Sequence, residues 1–315
     1  TQEGFIFECQ PKAFGVRRLH REGVLAHSNV FQSLECGREE YATTTRMNWD
    51  NYWRRKRLHK LVSQAGDGLD YATAVQVMSD HFDGYWSEEK PVNRTVSQVY
   101  NIQSLVLDPV NMVAFLAEGD CPVHLRRYRK IDLGEVFAGR EGLTQEYLPG
   151  YQFKNPKLRS AKEKYILSFV AAFDNDFPTA LERVSQSVEE YFTAEAALVY
   201  AVFKMKEGGF ASAASMLELG KEWIEKKKLE RGTEGYPPEY FETCIYLART
   251  YDLLGERRAA EKIYQLVADH EALAHDHVRG KRRIADNGQA RGARVEVVNV
   301  DLLIENPMLA DDHAG

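Results

Sequence analysis

The sequence predicts an α+β protein in which short strands come first and helices follow. Up to about Gly150 the chain consists of short apolar runs separated by Gly and Pro, a pattern typical of antiparallel strands and turns. From about Lys157 the apolar residues follow helical spacing, and the pattern repeats. We therefore expect a strand-rich domain over 1–150, helical repeats over 157–290, and a terminal strand and tail over 291–315.

The first predicted elements are two short strands on either side of Pro11, followed by a third apolar run that starts near residue 21. This run ends in a polar triplet, His27-Ser28-Asn29, which closes the β-meander. Polar side chains at a strand end can face a ligand, so the triplet is a candidate site in which His27 and Ser28 contact substrate. The alternative for Asn29 is that its side chain bonds only the backbone of the turn, as asparagine often does.

Residues 23–31, Gly-Val-Leu-Ala-His-Ser-Asn-Val-Phe, resemble the Gly-x-Leu-x-His-Thr-Asn-His-Phe segment of one enzyme family. This is the acyl-coenzyme A:6-aminopenicillanic-acid acyltransferase family of N-terminal-nucleophile hydrolases, of the peptidase C45 type. The resemblance covers roughly the first 125 residues and continues, in the family's order, through segments 51–62, Met78–His81, Thr95–Ser97 and Leu105–Pro109. In the family the last two segments belong to a Thr/Ser-bearing strand that ends in Asp-Pro, so the resemblance implies strand at both. Two positions depart from the family pattern: Val30 replaces its second histidine, and Asn51 replaces a serine.

The resemblance implies part of an αββα sandwich and a cysteine nucleophile at a self-generated amino terminus, whose own α-amine acts as the base. Such an enzyme cleaves a linear amide through an acyl-thioester and needs no metal or organic cofactor. Asn29 would donate a hydrogen bond to the oxyanion, a contact that typically lowers the barrier by ~3–4 kcal/mol. The chain has no counterpart of the family cysteine, so we expect a C-terminal portion whose incomplete sandwich exposes apolar surface.

Other residues of the chain are weaker candidates for the nucleophile. Thr1 is the low-ranked alternative, because an N-terminal threonine with a free amine serves as the nucleophile in other branches of the superfamily. Cys9 and Cys36 are poor substitutes, since neither presents an α-amine beside its thiol without cleavage at that point.

Two arginines complete the predicted catalytic set. Arg54 and Arg94 could each hold a carboxylate or bias the ionisation of the nucleophile. The alternative for both is a solvated surface arginine. Arg54 belongs to the basic run Trp53–Arg57, which we interpret as the exposed face of a helix rather than as a phosphate-binding patch.

The helical half contains a repeated pattern. Phe177 and Ala180 recur 33 residues later as Phe210 and Ala213. A third copy over 247–264, with small residues at 248 and 260 and the turn residue Gly255, resembles a tetratricopeptide repeat. Small residues let paired helices approach closely, and an insertion over 230–238 accounts for the longer last interval. Such a surface could bind a partner peptide or protein, or it could only pack on the strand-rich domain.

Composition narrows the classes of function. With 44% hydrophobic residues, a net charge of −6 and a pI near 5.9, the 315-residue chain predicts no nucleic-acid binding and no membrane span. The cysteines lack paired spacing, and the histidines at 270, 275 and 277 lack the i, i+4 spacing of helical ligands, so we expect no metal site. The sequence does not indicate a compartment.

Together these observations predict a linear amide hydrolase or an acyltransferase. Its substrate would be a small-molecule amide or acyl-thioester, and thioester formation would divide one difficult hydrolysis into two easier steps. The alternative is a non-catalytic helical-repeat adaptor whose strand-rich domain has lost its chemistry.

Overall fold

The computed structural model describes residues 5–10, 13–18, 45–99, 101–233 and 235–269. The chain divides into two compact units, Thr1–Val267 and Ala268–Gly315. The first unit combines small antiparallel sheets with a series of helices, so the expected α+β class is confirmed. The terminal strand and tail predicted over 291–315 lie outside the described residues.

The N-terminal hairpin has the predicted form. Strand β1 (Phe5–Gln10) pairs antiparallel with β2 (Ala13–Arg18), and Pro11 lies between them in the sequence. Two helices follow, α1 (Thr45–Ala65) and α2 (Tyr71–Met78). The Asp70 side chain caps α2 by accepting a hydrogen bond from the Thr73 amide at 2.7 Å.

A two-stranded ribbon and a bent segment lie between α2 and the main sheet. The ribbon pairs β3 (Phe82–Asp83) with β4 (Glu88–Glu89). Residues 91–97 then form consecutive bends, so the strand predicted at Thr95–Ser97 is wrong. Asn93 and Arg94 have φ angles of 59° and 48°, and this left-handed backbone interrupts an extended strand.

The main sheet contains four antiparallel strands in sequence order. They are β5 (Leu105–Asp108), β6 (Val113–Ala117), β7 (Tyr128–Asp132) and β8 (Leu143–Leu148), with the short helix α3 (Leu133–Phe137) between the last two. Strand β5 confirms the strand predicted before Asp108-Pro109. One face of the sheet packs on α2, where Val75 contacts Phe115 and Tyr128 in a buried cluster.

The opposite face of this sheet carries exposed leucines on either side of the buried Ala114. The strand register aligns Leu107, Ala114, Ile131 and Leu143 in one row across all four strands. Leu107 and Leu143 are 55% and 50% exposed.

The helical region begins at residue 156. Its helices are α4 (Pro156–Phe173), α5 (Phe177–Glu190), α6 (Ala194–Lys206), α7 (Phe210–Arg231), α8 (Pro238–Leu253) and α9, helical over 257–269. Among the helices that the structure describes, none has the length and apolar character needed to cross a membrane.

Three helical hairpins share the same turn. Asn175, Gly208 and Gly255 adopt φ angles of 59°, 77° and 79°, the left-handed conformation in which glycine and asparagine are favoured. In each turn the next residue donates its amide to the carbonyl five positions earlier, at 2.8–2.9 Å. Each hairpin then places an alanine, at 180, 213 or 260, fully buried five residues after the turn residue. The predicted small contact positions are therefore confirmed as buried.

The insertion before the last hairpin has a simple structural form. Helix α7 has 22 residues where α5 has 14, and a loop separates its end from Pro238. Gly232 ends α7 in the left-handed conformation, with φ at 59°.

Replacing Ala260 by tryptophan in the full chain should be strongly destabilising. Ala260 has 0% exposure, so an indole cannot fit without moving the helices, and overpacking costs ~1–3 kcal/mol or more. The measurement is urea unfolding followed by circular dichroism. Glu261→Trp is the matched control, because Glu261 is exposed and only pairs with Arg257 at 3.2 Å. Equal tolerance at both positions would contradict a close helix contact at Ala260.

The core of the helical region includes residues from the β3–β4 ribbon. Tyr85 and Trp86, 5% and 0% exposed, pack with Ile224, Tyr240 and other helical residues. Full burial of an aromatic side chain contributes about 1.5–3 kcal/mol. The helical residues therefore do not complete this core alone, and the predicted boundary near 150 does not separate the two compact units.

Candidate functional site

The predicted site residues fall into two groups. Thr1, His27, Ser28 and Asn29 lie outside the described residues, as does Cys36. Arg54 and Arg94 are described. Their surroundings differ, because Arg54 is half-buried on α1 whereas Arg94 is 1% exposed.

Arg54 lies beside a residue of the same predicted motif. Its guanidinium donates to the Asn51 side-chain oxygen at 2.8 Å, one helical turn away. Burial lowers the pKa of Arg54, and the nearby Asp50 carboxylate opposes that effect. Further along the basic run, Arg57 forms a bidentate pair with Asp80 at 2.9 and 2.7 Å. This run is therefore only partly solvated, in contrast to the exposed face that the sequence predicts.

Arg94 lies in a buried ionic cluster. Its guanidinium donates two hydrogen bonds to Glu239 at 2.5 and 2.6 Å, and its Nε donates to Asp83 at 3.1 Å. Asp83 also accepts from the amides of Tyr85 and Trp86, at 2.8 and 3.2 Å. The alternative of a solvated surface arginine is wrong for Arg94. Arg94 binds carboxylates, and those that the structure describes are the side chains of Glu239 and Asp83.

Lys90 extends the cluster toward α6. Its ammonium donates to Glu195 and lies 3.6 Å from Asp83 and 4.0 Å from Glu239. Burial disfavours the charged form of both cations, yet the surrounding carboxylates raise the pKa of Lys90 and of Arg94. We call Asp83, Lys90, Arg94, Glu195 and Glu239 the buried ionic cluster.

A second buried group surrounds the hydroxyl of Ser97. The Ser97 Oγ lies 2.9 Å from His81 Nε2 and in hydrogen-bond contact with His124 Nε2. Lys162 Nζ, which belongs to α4, donates to the same oxygen at 3.5 Å. All four side chains are at most 1% exposed. We call His81, Ser97, His124 and Lys162 the Ser97 cluster.

Hydrogen-bond chemistry fixes how the Ser97 cluster is protonated. A hydroxyl donates one hydrogen bond and accepts two, so Ser97 donates to one imidazole and accepts from the other imidazole and from Lys162. Burial is the largest cause of a lowered pKa at each base, to well below the usual value for His81, to about 2 for His124 and to about 7 for Lys162. The imidazoles are therefore neutral, and a neutral imidazole beside a hydroxyl can accept its proton.

Two of the segments matched in the sequence contact each other. His81 belongs to the Met78–His81 segment and Ser97 to the Thr95–Ser97 segment, and their side chains bond directly. The Ser97 amide also donates to the Asp80 carbonyl at 3.0 Å. Segments that the sequence analysis matched separately therefore meet in one place.

Sequence reasoning missed the partners of these residues. His124, Lys162, Glu195 and Glu239 are all buried, and none was predicted as a site residue. One signal was available for Lys162, because it lies on the same face of α4 as the buried Leu158 and Tyr165. A lysine on the apolar stripe of a helix is rarely buried without a partner.

In the described part of the chain, no three or more His, Cys, Asp or Glu side chains are placed so that they could hold a metal ion. The histidines near residue 275 lie outside that part. Cys9, Cys121 and Cys244 are free thiols. Comparison of the sequence with protein-family models and with curated proteins finds no match for this chain.

Proposed function

We propose that this chain belongs to a linear amide hydrolase or acyltransferase of the N-terminal-nucleophile type. The contact that carries the proposal joins His81 and Ser97, at 2.9 Å. It joins two segments that resemble the peptidase C45 family in order and spacing, and it places a histidine beside a hydroxyl in a buried site. The chemistry follows from the resemblance: a cysteine thiolate attacks the amide carbonyl, the amine leaves, and water or another amine resolves the acyl-thioester.

In this proposal the described residues support the site rather than perform the attack. Arg94 holds the bends of 91–97 against helix α8 through Glu239 and against the β3–β4 ribbon through Asp83. Asn29 is the proposed oxyanion donor, with His27 and Ser28 contacting substrate. Arg54, bonded to Asn51, is the proposed contact for a substrate carboxylate.

Trapping the acyl intermediate tests the proposal directly. The natural protein that contains this chain is incubated with a panel of activated linear acyl amides, quenched in acid and analysed by peptide mass spectrometry. We expect an acyl adduct on an N-terminal cysteine, released by neutral hydroxylamine as a thioester should be. An adduct on Thr1 that Thr1→Ala abolishes would replace cysteine with threonine chemistry. No adduct and no turnover with any substrate would overturn the proposal.

A helical-repeat adaptor is the second candidate. The three hairpins with identical turns favour it, because stacked hairpins form extended binding surfaces. Against it, Tyr85 and Trp86 already cover part of the helices. The two functions differ in one cheap observation, which is whether the natural reading frame encodes a cysteine at a processing junction upstream of this segment.

A further inference from the structure

The Ser97 cluster joins separate parts of the chain. His81 follows α2, Ser97 ends the bends of 91–97, and His124 belongs to a short 3-10 helix, Val123–Leu125. Lys162 comes from α4 in the helical region. The contacts of Ser97 with these three bases therefore fasten α4 to three segments of the strand-rich half.

Charge compensation distinguishes this cluster from the buried ionic cluster. In the ionic cluster, three carboxylates face two cations. Among the described residues, no carboxylate contacts any of the three bases around Ser97. The neighbouring titratable groups are the Cys121 thiol beside Lys162 and the Tyr151 ring over His81, at 4.5 Å between centroids. Two acids act on Tyr151: Glu89 accepts from its hydroxyl at 2.7 Å, and Asp80, which is paired with Arg57, acts through its charge.

We infer that the Ser97 cluster is an acid-operated joint, in which protonation of His81 and His124 releases α4 from the bends of 91–97. We call the state in which α4 contacts the bends of 91–97 closed, and the state in which this contact is broken open. In the closed state Lys162 can take up one proton. A further proton on either imidazole places a second positive charge beside the first, with no buried anion to balance it. The imidazole that accepts from Ser97 would also lose that hydrogen bond on protonation.

The direction of the pH dependence follows from proton counting. Each histidine has a closed-state pKa far below its open-state value of about 6.5, so the closed state binds fewer protons. Stability therefore rises with pH up to about 6.5 and falls as the pH drops below it. Lys162, with a closed-state pKa of about 7, adds a further rise between about 7 and about 10.4.

Hydrogen exchange with mass spectrometry tests the joint in the full chain, after correction for the intrinsic pH dependence of exchange. Between pH 7.5 and 5.0 the peptides covering 91–99 and 156–173 should lose protection by tenfold to about 10³-fold, since two sites can each contribute tenfold per pH unit. Peptides covering α8 should change less. Unchanged protection of 91–99 down to pH 5.0 would overturn the inference.

Three variants assign the effect to the cluster. His124→Gln should halve the slope of log protection against pH, because one proton is taken up instead of two. Lys162→Met should move the transition to lower pH, because it removes the neighbouring charge. His59→Gln, at an exposed histidine of α1, is the matched control and should behave as wild type. A His124→Gln slope equal to wild type would contradict the assignment.

A measurement on the wild-type protein keeps the test decisive if a variant does not fold. The ring-carbon NMR signals of His81 and His124 should stay at neutral-imidazole shifts until protection is lost. Ordinary titration of both rings near pH 6.5, with protection of 91–99 retained, would overturn the joint. These readouts do not depend on amide chemistry, so they separate this inference from the proposed function.

Discussion

Arg94→Met should lower the free energy of unfolding by about 3–5 kcal/mol, the usual cost of removing one partner from a buried ion pair. The methionine fills similar volume but leaves Glu239 and Asp83 buried beside Glu195, with Lys90 as the one cation remaining in the cluster. Three carboxylates then share one positive charge. Urea unfolding followed by far-ultraviolet circular dichroism gives both the midpoint and the slope of the transition.

A second substitution separates lost charge balance from lost packing. In Arg94→Met combined with Glu239→Gln, one cation faces two carboxylates, which restores the net charge of −1 that the wild-type cluster carries. The double variant should therefore be more stable than Arg94→Met alone, and the coupling energy measures the pair. Arg140→Met, which breaks an exposed pair with Glu135 at 2.5 Å, should have little effect. A loss below about 1 kcal/mol in Arg94→Met would contradict a tightly coupled cluster.

Under the proposed amidase function, Asn29→Ala should lower kcat by ~10²–10³, with little change in KM. A side-chain amide that donates to the oxyanion acts in the transition state and not on the bound substrate, so the loss appears in kcat. Asn29→Asp should be at least as damaging, because a carboxylate repels the developing negative charge. Steady-state kinetics with the amide identified by acyl trapping provides the measurement.

A turn asparagine elsewhere in the chain is the control for Asn29. Asn111 is exposed and donates its side-chain amide to Asp108 at 2.7 Å, next to the turn between β5 and β6. Asn111→Ala should leave kcat unchanged. If either Asn29 variant keeps more than a tenth of wild-type turnover, Asn29 has the same kind of role as Asn111.

Local patterns in the sequence predict much of the fold. The β1–β2 hairpin, helix α1 and the turn at Gly255 follow from spacing or from turn residues within a few positions, whereas strand β5 follows from the family resemblance. The strand at Thr95–Ser97, which only the family resemblance implies, is not formed. The left-handed backbone at Asn93 and Arg94 interrupts an extended strand, and buried ion pairs hold it in place.

The two polar clusters could not be predicted, because their partners are distant in sequence. His81 and Ser97 are 16 positions apart and belong to motifs that were recognised, whereas Lys162 is 65 positions beyond Ser97. Glu195 and Glu239 are amphipathic-helix residues whose carboxylates would ordinarily face water. Only the packing of helices on the bends of 91–97 decides that they face two cations instead.

The sequence separation within the ionic cluster also limits how the chain can assemble during translation. Arg94 and Glu239 are 145 positions apart, and Lys90 and Glu195 are 105 apart. At a translation rate of 5–20 residues per second, roughly 7 to 30 s pass between the synthesis of Arg94 and that of Glu239, its carboxylate partner on α8. Until then Arg94 remains hydrated while the hairpins of α4 to α7, whose contacts are local, can already form. During translation the complete cluster can therefore close only after Glu239 of α8 has been made.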